Sequence, residues 1–182
     1  MATNVTSGPF FPRKMNPSVP SPVPSWWFQR ELAGGGALLD LGSHMIDLLL
    51  FLFGQKIASV RTFLGHRFNL SLEDHALCFI KFEQDIFTIV NVGWYAQDIT
   101  IKIDLCGTTS HRSESIEPPT LFDYAKRIIR RQPLEGHASF RKELQHFVDC
   151  VKSDTSPSPS AEEGLQTLQV ISTAYKHASR LT

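Results

Sequence analysis

Gly34-Gly35-Gly36-Ala37-Leu38-Leu39-Asp40-Leu41-Gly42-Ser43-His44-Met45-Ile46-Asp47 is the stretch on which the fold turns, and it runs on through Leu48-Leu49-Leu50-Phe51-Leu52-Phe53 to Gly54. The pattern predicts one helix from about Ala37 to Phe53, with Gly54 as its left-handed stop. Asp40, His44 and Asp47 interrupt an otherwise apolar segment. At about 3.6 residues per turn they fall within about 60° of one another on the helix. So narrow a polar stripe on so greasy a helix is costly unless each group has a partner or a task.

Outward from this helix the chain reads as α+β. Before it, residues 1–25 hold six of the eleven prolines, a density that opposes helix and central strand. Val5 to Phe11 reads as a short edge strand in an otherwise extended segment, as if the chain began partway through a domain. Trp26-Trp27-Phe28 and a helical turn at Gln29–Ala33 follow. After the helix, strands are predicted at 57–66, 74–82, 86–95 and 99–105, with Glu83-Gln84-Asp85 as a hairpin turn and Gly107 as a strand end. Short connections between them imply an antiparallel meander covered on one face. A short basic helix at 120–132, an amphipathic helix at 139–152 and a Ser/Pro loop come next. Ser160-Ala161-Glu162-Glu163 forms a capping box that opens a final helix reaching Ala178.

Composition limits the function classes. The 182 residues carry 18 basic and 18 acidic side chains, which argues against nucleic acid or an anionic membrane as the main partner. The longest uninterrupted apolar run, Leu48–Phe53, is far shorter than the ~20 residues of a membrane span, and the first residues do not form a signal peptide. Cys78, Cys106 and Cys150 form no Cys-x-x-Cys pair and sit in apolar stretches, which suits buried thiols in the cytoplasm.

His44 is the candidate proton acceptor, with Asp40 one turn earlier as its orienter and charge partner. The competing structural reading makes the stripe a buried polar network pinning the helix. A metal centre of Asp40, His44 and His75 is a third possibility. The glycine triplet is neither a P-loop, lacking a following Lys-Ser or Lys-Thr, nor a dinucleotide fingerprint, since position 39 is Leu. It reads as a helix start that brings backbone close to another surface or to a ligand. His75 sits at a strand start and could face a ligand or simply line the sheet edge. Trp94 and Tyr95 could wall a sugar ring or pack in the core, and Trp26-Trp27 pose the same choice. The basic run Lys126–Arg131 suits a phosphate or a solvated helix face.

The segment from Trp27 to Gly54 resembles the C-terminal domain of the glucose–fructose oxidoreductase/inositol dehydrogenase/MocA family. That family's pattern, Gly-Gly-Gly-x-Leu-x-Asp-x-Gly-x-His-x-x-Asp, is met at every defined position from Gly34 to Asp47. EDHALCFIKF at 73–82, Gly93-Trp94 and IDLCGTTS at 103–110 look like the family's strands, and the tail from His137 looks like its closing helices. The resemblance implies a large open, mainly antiparallel β-sheet with helices packed on one face, similar to the glyceraldehyde-3-phosphate dehydrogenase C-terminal domain. It makes residues 26–182 a substrate-binding and oligomerisation domain. It assigns catalysis to His44 and Asp40, acting with a lysine of a Glu-Lys-Pro segment in an N-terminal Rossmann domain. Neither that segment nor that domain is in this sequence, so no residue here is expected to bind cofactor.

The expected whole is an NAD- or NADP-dependent oxidoreductase acting on a sugar, inositol or related polyol. Asp47, His75, Trp94 and Tyr95 are its weaker substrate-side candidates, and a sheet face is its homo-oligomer contact. These residues alone are expected to be inactive. The alternative is a sugar-binding or oligomerisation module without catalysis.

Overall fold

The computed structural model describes residues 2–7, 24–68, 70–94, 101–116, 129–130 and 137–180. Packing separates two units, residues 1–117 with 165–182, and residues 118–164.

The first unit is built on a seven-stranded sheet of β1 (Ala2–Ser7), β2 (Ile57–Gly65), β3 (His75–Phe82), β4 (Phe87–Gly93), β5 (Ile101–Cys106), β6 (His111–Ile116) and β7 (Ala178–Arg180). Their spatial order is β6-β5-β1-β4-β3-β2-β7. The β1–β4 and β2–β7 pairings are parallel and the rest antiparallel. The open, mainly antiparallel sheet is therefore as expected. Strands β2, β3 and β4 form the predicted meander, with Gln84 and Asp85 at positive φ in the β3–β4 turn.

The meander does not continue to β5, because β1 lies between β4 and β5. A central β1 corrects the expected edge strand at Val5–Phe11, of which residues 8–11 lie outside the described residues. The physical reason is local: Ala2–Ser7 precedes Pro9, the first proline, so no proline interrupts its ladders, and Asn4–Thr6 pair with both β4 and β5. Strand β6 was not predicted, since His-Arg-Ser-Glu-Ser-Ile has no apolar alternation. It is held to β5 by backbone pairing and by Ser113 Oγ donating to Asp104 Oδ1 at 2.6 Å. Among the cysteines, Cys106 at the end of β5 is exposed, against expectation, while Cys78 and Cys150 are buried.

Helix α1 (Arg30–Ala33) is a single turn, and α2 (Ala37–Phe53) is the long helix, with the expected bounds. Gly54 stops it at φ 58°, ψ 23°, its N–H donating to Leu50 O. Leu38, Met45, Ile46 and Leu49 of α2 bury themselves against Val60, Cys78, Ile80, Phe82, Val90 and Val92 of the sheet. Each such aliphatic side chain contributes roughly 1.5–3 kcal/mol by leaving water. The stretch Arg30–Phe53 is long and apolar enough, by length and composition, to cross a membrane. Here it is broken at the glycine triplet, and one face of α2 is the core of the unit. The opposite sheet face carries Phe79 and Phe87 exposed, with Phe63 edge-on to Phe79.

The second unit contains α3 (His137–Ser153) and the start of α4 (Ala161–Lys176), which from Leu165 onward belongs to the first unit. The capping box forms: Ser160 N donates to Glu163 Oε2 at 2.6 Å, and Glu163 N to Ser160 Oγ at 3.4 Å. Helix α4 ends at Lys176, two residues short of the expected Ala178, which starts β7 instead. The apolar stripe that predicts α3, Phe140, Leu144, Phe147, Val148 and Val151, is exposed. Of the predicted basic helix, only residues 129–130 are among those described, and both are exposed.

Candidate functional site

The first turn of a helix presents N–H groups that nothing within the helix can accept. At α2 the cap residue is Gly36, which has no side chain to do so. Glu73, arriving from the approach to β3, does the work instead. Its Oε1 accepts from Gly36 N at 2.8 Å and Leu38 N at 3.2 Å, and its backbone oxygen accepts from Ala37 N at 2.9 Å. Tyr175 of α4 donates its hydroxyl to the same Oε1 at 2.6 Å. Glu73 is fully buried, and Arg30 Nη2 lies 3.9 Å from its Oε2. A carboxylate at a helix N-terminus also meets the favourable end of the helix dipole.

This explains the glycine triplet. A Cβ on Gly36 would lie 2.0 Å from Glu73 O, and one on Gly35 would lie 2.2 Å from Tyr175 Oη. The backbone is close to another surface, as the sequence suggests, and that surface is Glu73 and Tyr175. The space a phosphate cradle needs is taken.

The neighbouring Asp74 closes the loop between β2 and β3. Its Oδ2 accepts from Phe68 N at 2.6 Å, and its backbone oxygen accepts from Trp94 N at 2.8 Å. Trp94 in turn donates its indole Nε1–H to Asp40 Oδ2 at 2.8 Å. Its ring is buried, edge-on to Phe28 at 6.4 Å. Trp94 is thus a core residue that holds Asp40, not an exposed wall for a sugar ring.

Asp40 is half-buried, and the bond that fixes it comes from Trp94 rather than from His44. His44, one turn on, is exposed. The stripe is therefore neither wholly buried nor a closed Asp–His pair. Asp47, also exposed, accepts from Thr167 Oγ1 of α4 at 3.2 Å, which makes it a packing contact between helices. His75 lies half-buried at the start of β3, its ring over Gly65 of β2 and its Nδ1 3.5 Å from Asp74 Oδ1. Tyr95 lies outside the described residues. Among the described residues no three His, Cys, Asp or Glu side chains gather closely enough to hold a metal ion, so Asp40, His44 and His75 do not form one site.

Two groups are tuned by burial. Desolvation pushes the Cys78 thiol up to about 11, against the hydrogen bond from Thr62. Desolvation, then the adjoining Glu73 carboxylate, raises Tyr175 far above the ordinary phenol range, which keeps its hydroxyl a donor.

The sequence profile of the GFO/IDH/MocA C-terminal domain matches residues 10–111, more than half of the chain. The chain belongs to this family. Solved structures agree in fold. An oxidoreductase domain protein from Kribbella flavida superposes with a TM-score of 0.69 at 18% identity, over 97% of this chain and 56% of that one. The WlbA dehydrogenase from Bordetella pertussis, in complex with NADH and UDP-GlcNAcA, gives 0.68 at 19%, over 97% and 53%. Levoglucosan dehydrogenase, in complex with NADH and L-sorbose, gives 0.68 at 16%, over 97% and 56%. A protein of Amycolatopsis mediterranei (strain S699), proposed as a UDP-kanosamine synthase oxidoreductase subunit, is 66% identical over 29 residues, 16% of this chain and 8% of its own length. This GFO/IDH/MocA domain thus spans about half the length of the solved relatives it matches.

Glu73, Asp74 and Tyr175 are the residues that sequence reasoning missed. A glycine-capped helix leaves its first N–H groups asking for an acceptor from elsewhere, and two adjacent carboxylates at a strand start are the signal that could have supplied it.

Proposed function

We propose that this domain is the substrate-side part of an NAD- or NADP-dependent oxidoreductase acting on a CH–OH group of a sugar or related polyol, with His44 as the proton acceptor. The observation that carries the reading is the placement of His44. It stands exposed one turn beyond a carboxylate that Trp94 holds at 2.8 Å, on the helix that bears the family pattern. The names of the solved relatives support the reaction class and the sugar-like substrate.

A nicotinamide, when bound, would supply the hydride acceptor, and the glycine triplet would not be its cradle, since Glu73 and Tyr175 occupy that space. This chain's part is the proton. The neutral His44 imidazole takes the hydroxyl proton as the carbon–hydrogen bond gives up its electron pair as hydride, which leaves a carbonyl and an imidazolium. Asp40 offsets that positive charge from one turn away and, being fixed by Trp94, stays in place as it forms. In the reverse direction the imidazolium returns the proton.

The test is His44→Ala in the full-length enzyme, assayed by nicotinamide absorbance against a panel of aldoses, polyols and nucleotide sugars. Loss of a positioned base predicts turnover lower by roughly 10²–10⁴-fold, with cofactor affinity unchanged. Unchanged turnover would remove His44 from the reaction. Sugar binding with no turnover by the unaltered protein would favour a binding module.

A further inference from the structure

Glu73 is a fully buried carboxylate that the proton transfer does not use. It satisfies the first turn of α2 and receives Tyr175 from α4. The next residue, Asp74, fixes Trp94 through the backbone bond at 2.8 Å, and Trp94 fixes Asp40. One dipeptide therefore sets both components of the Asp40–indole bond: the helix start from which Asp40 projects, and the ring that reaches it. If Glu73 releases the helix start, α2 can shift or turn while Trp94 stays with the sheet. The 2.8 Å contact at Asp40 is the first to suffer.

We infer that Glu73 and Tyr175 form a positioning pair that holds Asp40, and with it the His44 turn, in register with Trp94. Neither residue touches the reacting atoms. Glu73 acts through the N–H groups of Gly36, Ala37 and Leu38, and Tyr175 holds the carboxylate in place from α4. The catalytic meaning of the pair rests on the function proposed above, but its geometric content does not.

The experiment uses the full-length protein, labelled with ¹⁵N at tryptophan, with solvent exchange of the Trp94 indole N–H as readout. Trp94→Phe assigns the signal. Glu73→Gln keeps the shape and an acceptor but removes the charge, and Tyr175→Phe removes one hydroxyl. Each is expected to accelerate indole exchange by about tenfold, the scale of one charge-assisted hydrogen bond, while backbone amides of β3 and β4 keep their protection. A uniform acceleration of all amides would make the pair a generic stability element and overturn the inference, as would unchanged indole exchange in Tyr175→Phe. Should Glu73→Gln fail to fold, Tyr175→Phe decides alone.

With a turned-over substrate, Tyr175→Phe should lower kcat by about tenfold and leave KM unchanged. A rise in KM alone would overturn the positioning role. If the unaltered enzyme turns over nothing in the panel, the proposed function fails while the exchange measurement still decides the inference.

Discussion

The two ends of α2 are both marked by glycine, and they are built on opposite principles. At the start, Gly36 is wedged against Glu73, and three backbone N–H groups find acceptors on that one distant residue. At the finish, Gly54 has open space where a Cβ would stand, and its cap is a local backbone bond to Leu50. Phe51 and Leu52 beside it are 79% and 46% exposed. The lesson is that the end of the helix nearer the proposed site is capped by a residue distant in sequence, and the other end by its own backbone. Asp40 and His44 sit in the half nearer that long-range cap.

Substituting the two glycines is the strongest way to break this contrast. Gly36→Ala places a methyl against a backbone carbonyl, which no rotamer can relieve, and should cost about 3 kcal/mol or more. Gly54→Ala meets no neighbour and should cost only the left-handed backbone penalty, about 1 kcal/mol. Urea denaturation followed by tryptophan fluorescence measures both. Equal losses would mean that the start of α2 is no more restrained than its end.

Trp94→Phe sharpens the contrast within the restrained half. The aromatic packing against Phe28 is largely kept, but Asp40 loses its donor while half-buried. A loss of about 1–3 kcal/mol is expected in the same denaturation experiment. A loss no larger than that of Gly54→Ala would show that water can replace the indole, and that Asp40 is not held by it.

What was legible in the sequence follows the same division. The extent of α2 and the strands β2 to β4 were readable because their apolar periodicity and glycine stops are local signals. The family pattern also picked out Asp40, His44 and Asp47. What holds Asp40 was not readable, because Trp94 lies 54 residues away and resembles any core aromatic. Glu73 was hidden for a related reason. A carboxylate ahead of a strand reads as a solvated loop residue, and only the packing of α2 and α4 around it makes it buried. The centre position of β1 was obscured because the prolines following it dominated the reading of residues 1–25. A central strand needs free N–H groups facing both neighbours in alternation, and the proline-free Ala2–Ser7 supplies them to β4 and β5.

The smallest expected effect probes where the restraint ends. Asp47 belongs to the family pattern, yet in this structure its contact is Thr167, whose hydroxyl donates to Oδ1 at 3.2 Å. Thr167 is buried but Asp47 is exposed, so water can serve the carboxylate when the hydroxyl is removed. Thr167→Val should therefore cost only about 0.5–1 kcal/mol, less than Trp94→Phe. Combined with Asp47→Ala in a double-mutant cycle, it should show a coupling of similar size, which would make Asp47 a helix–helix contact. Zero coupling, together with a turnover defect in Asp47→Ala alone, would move Asp47 from the frame that holds the helix to the side that meets substrate. The restrained half of α2 would then extend only as far as His44.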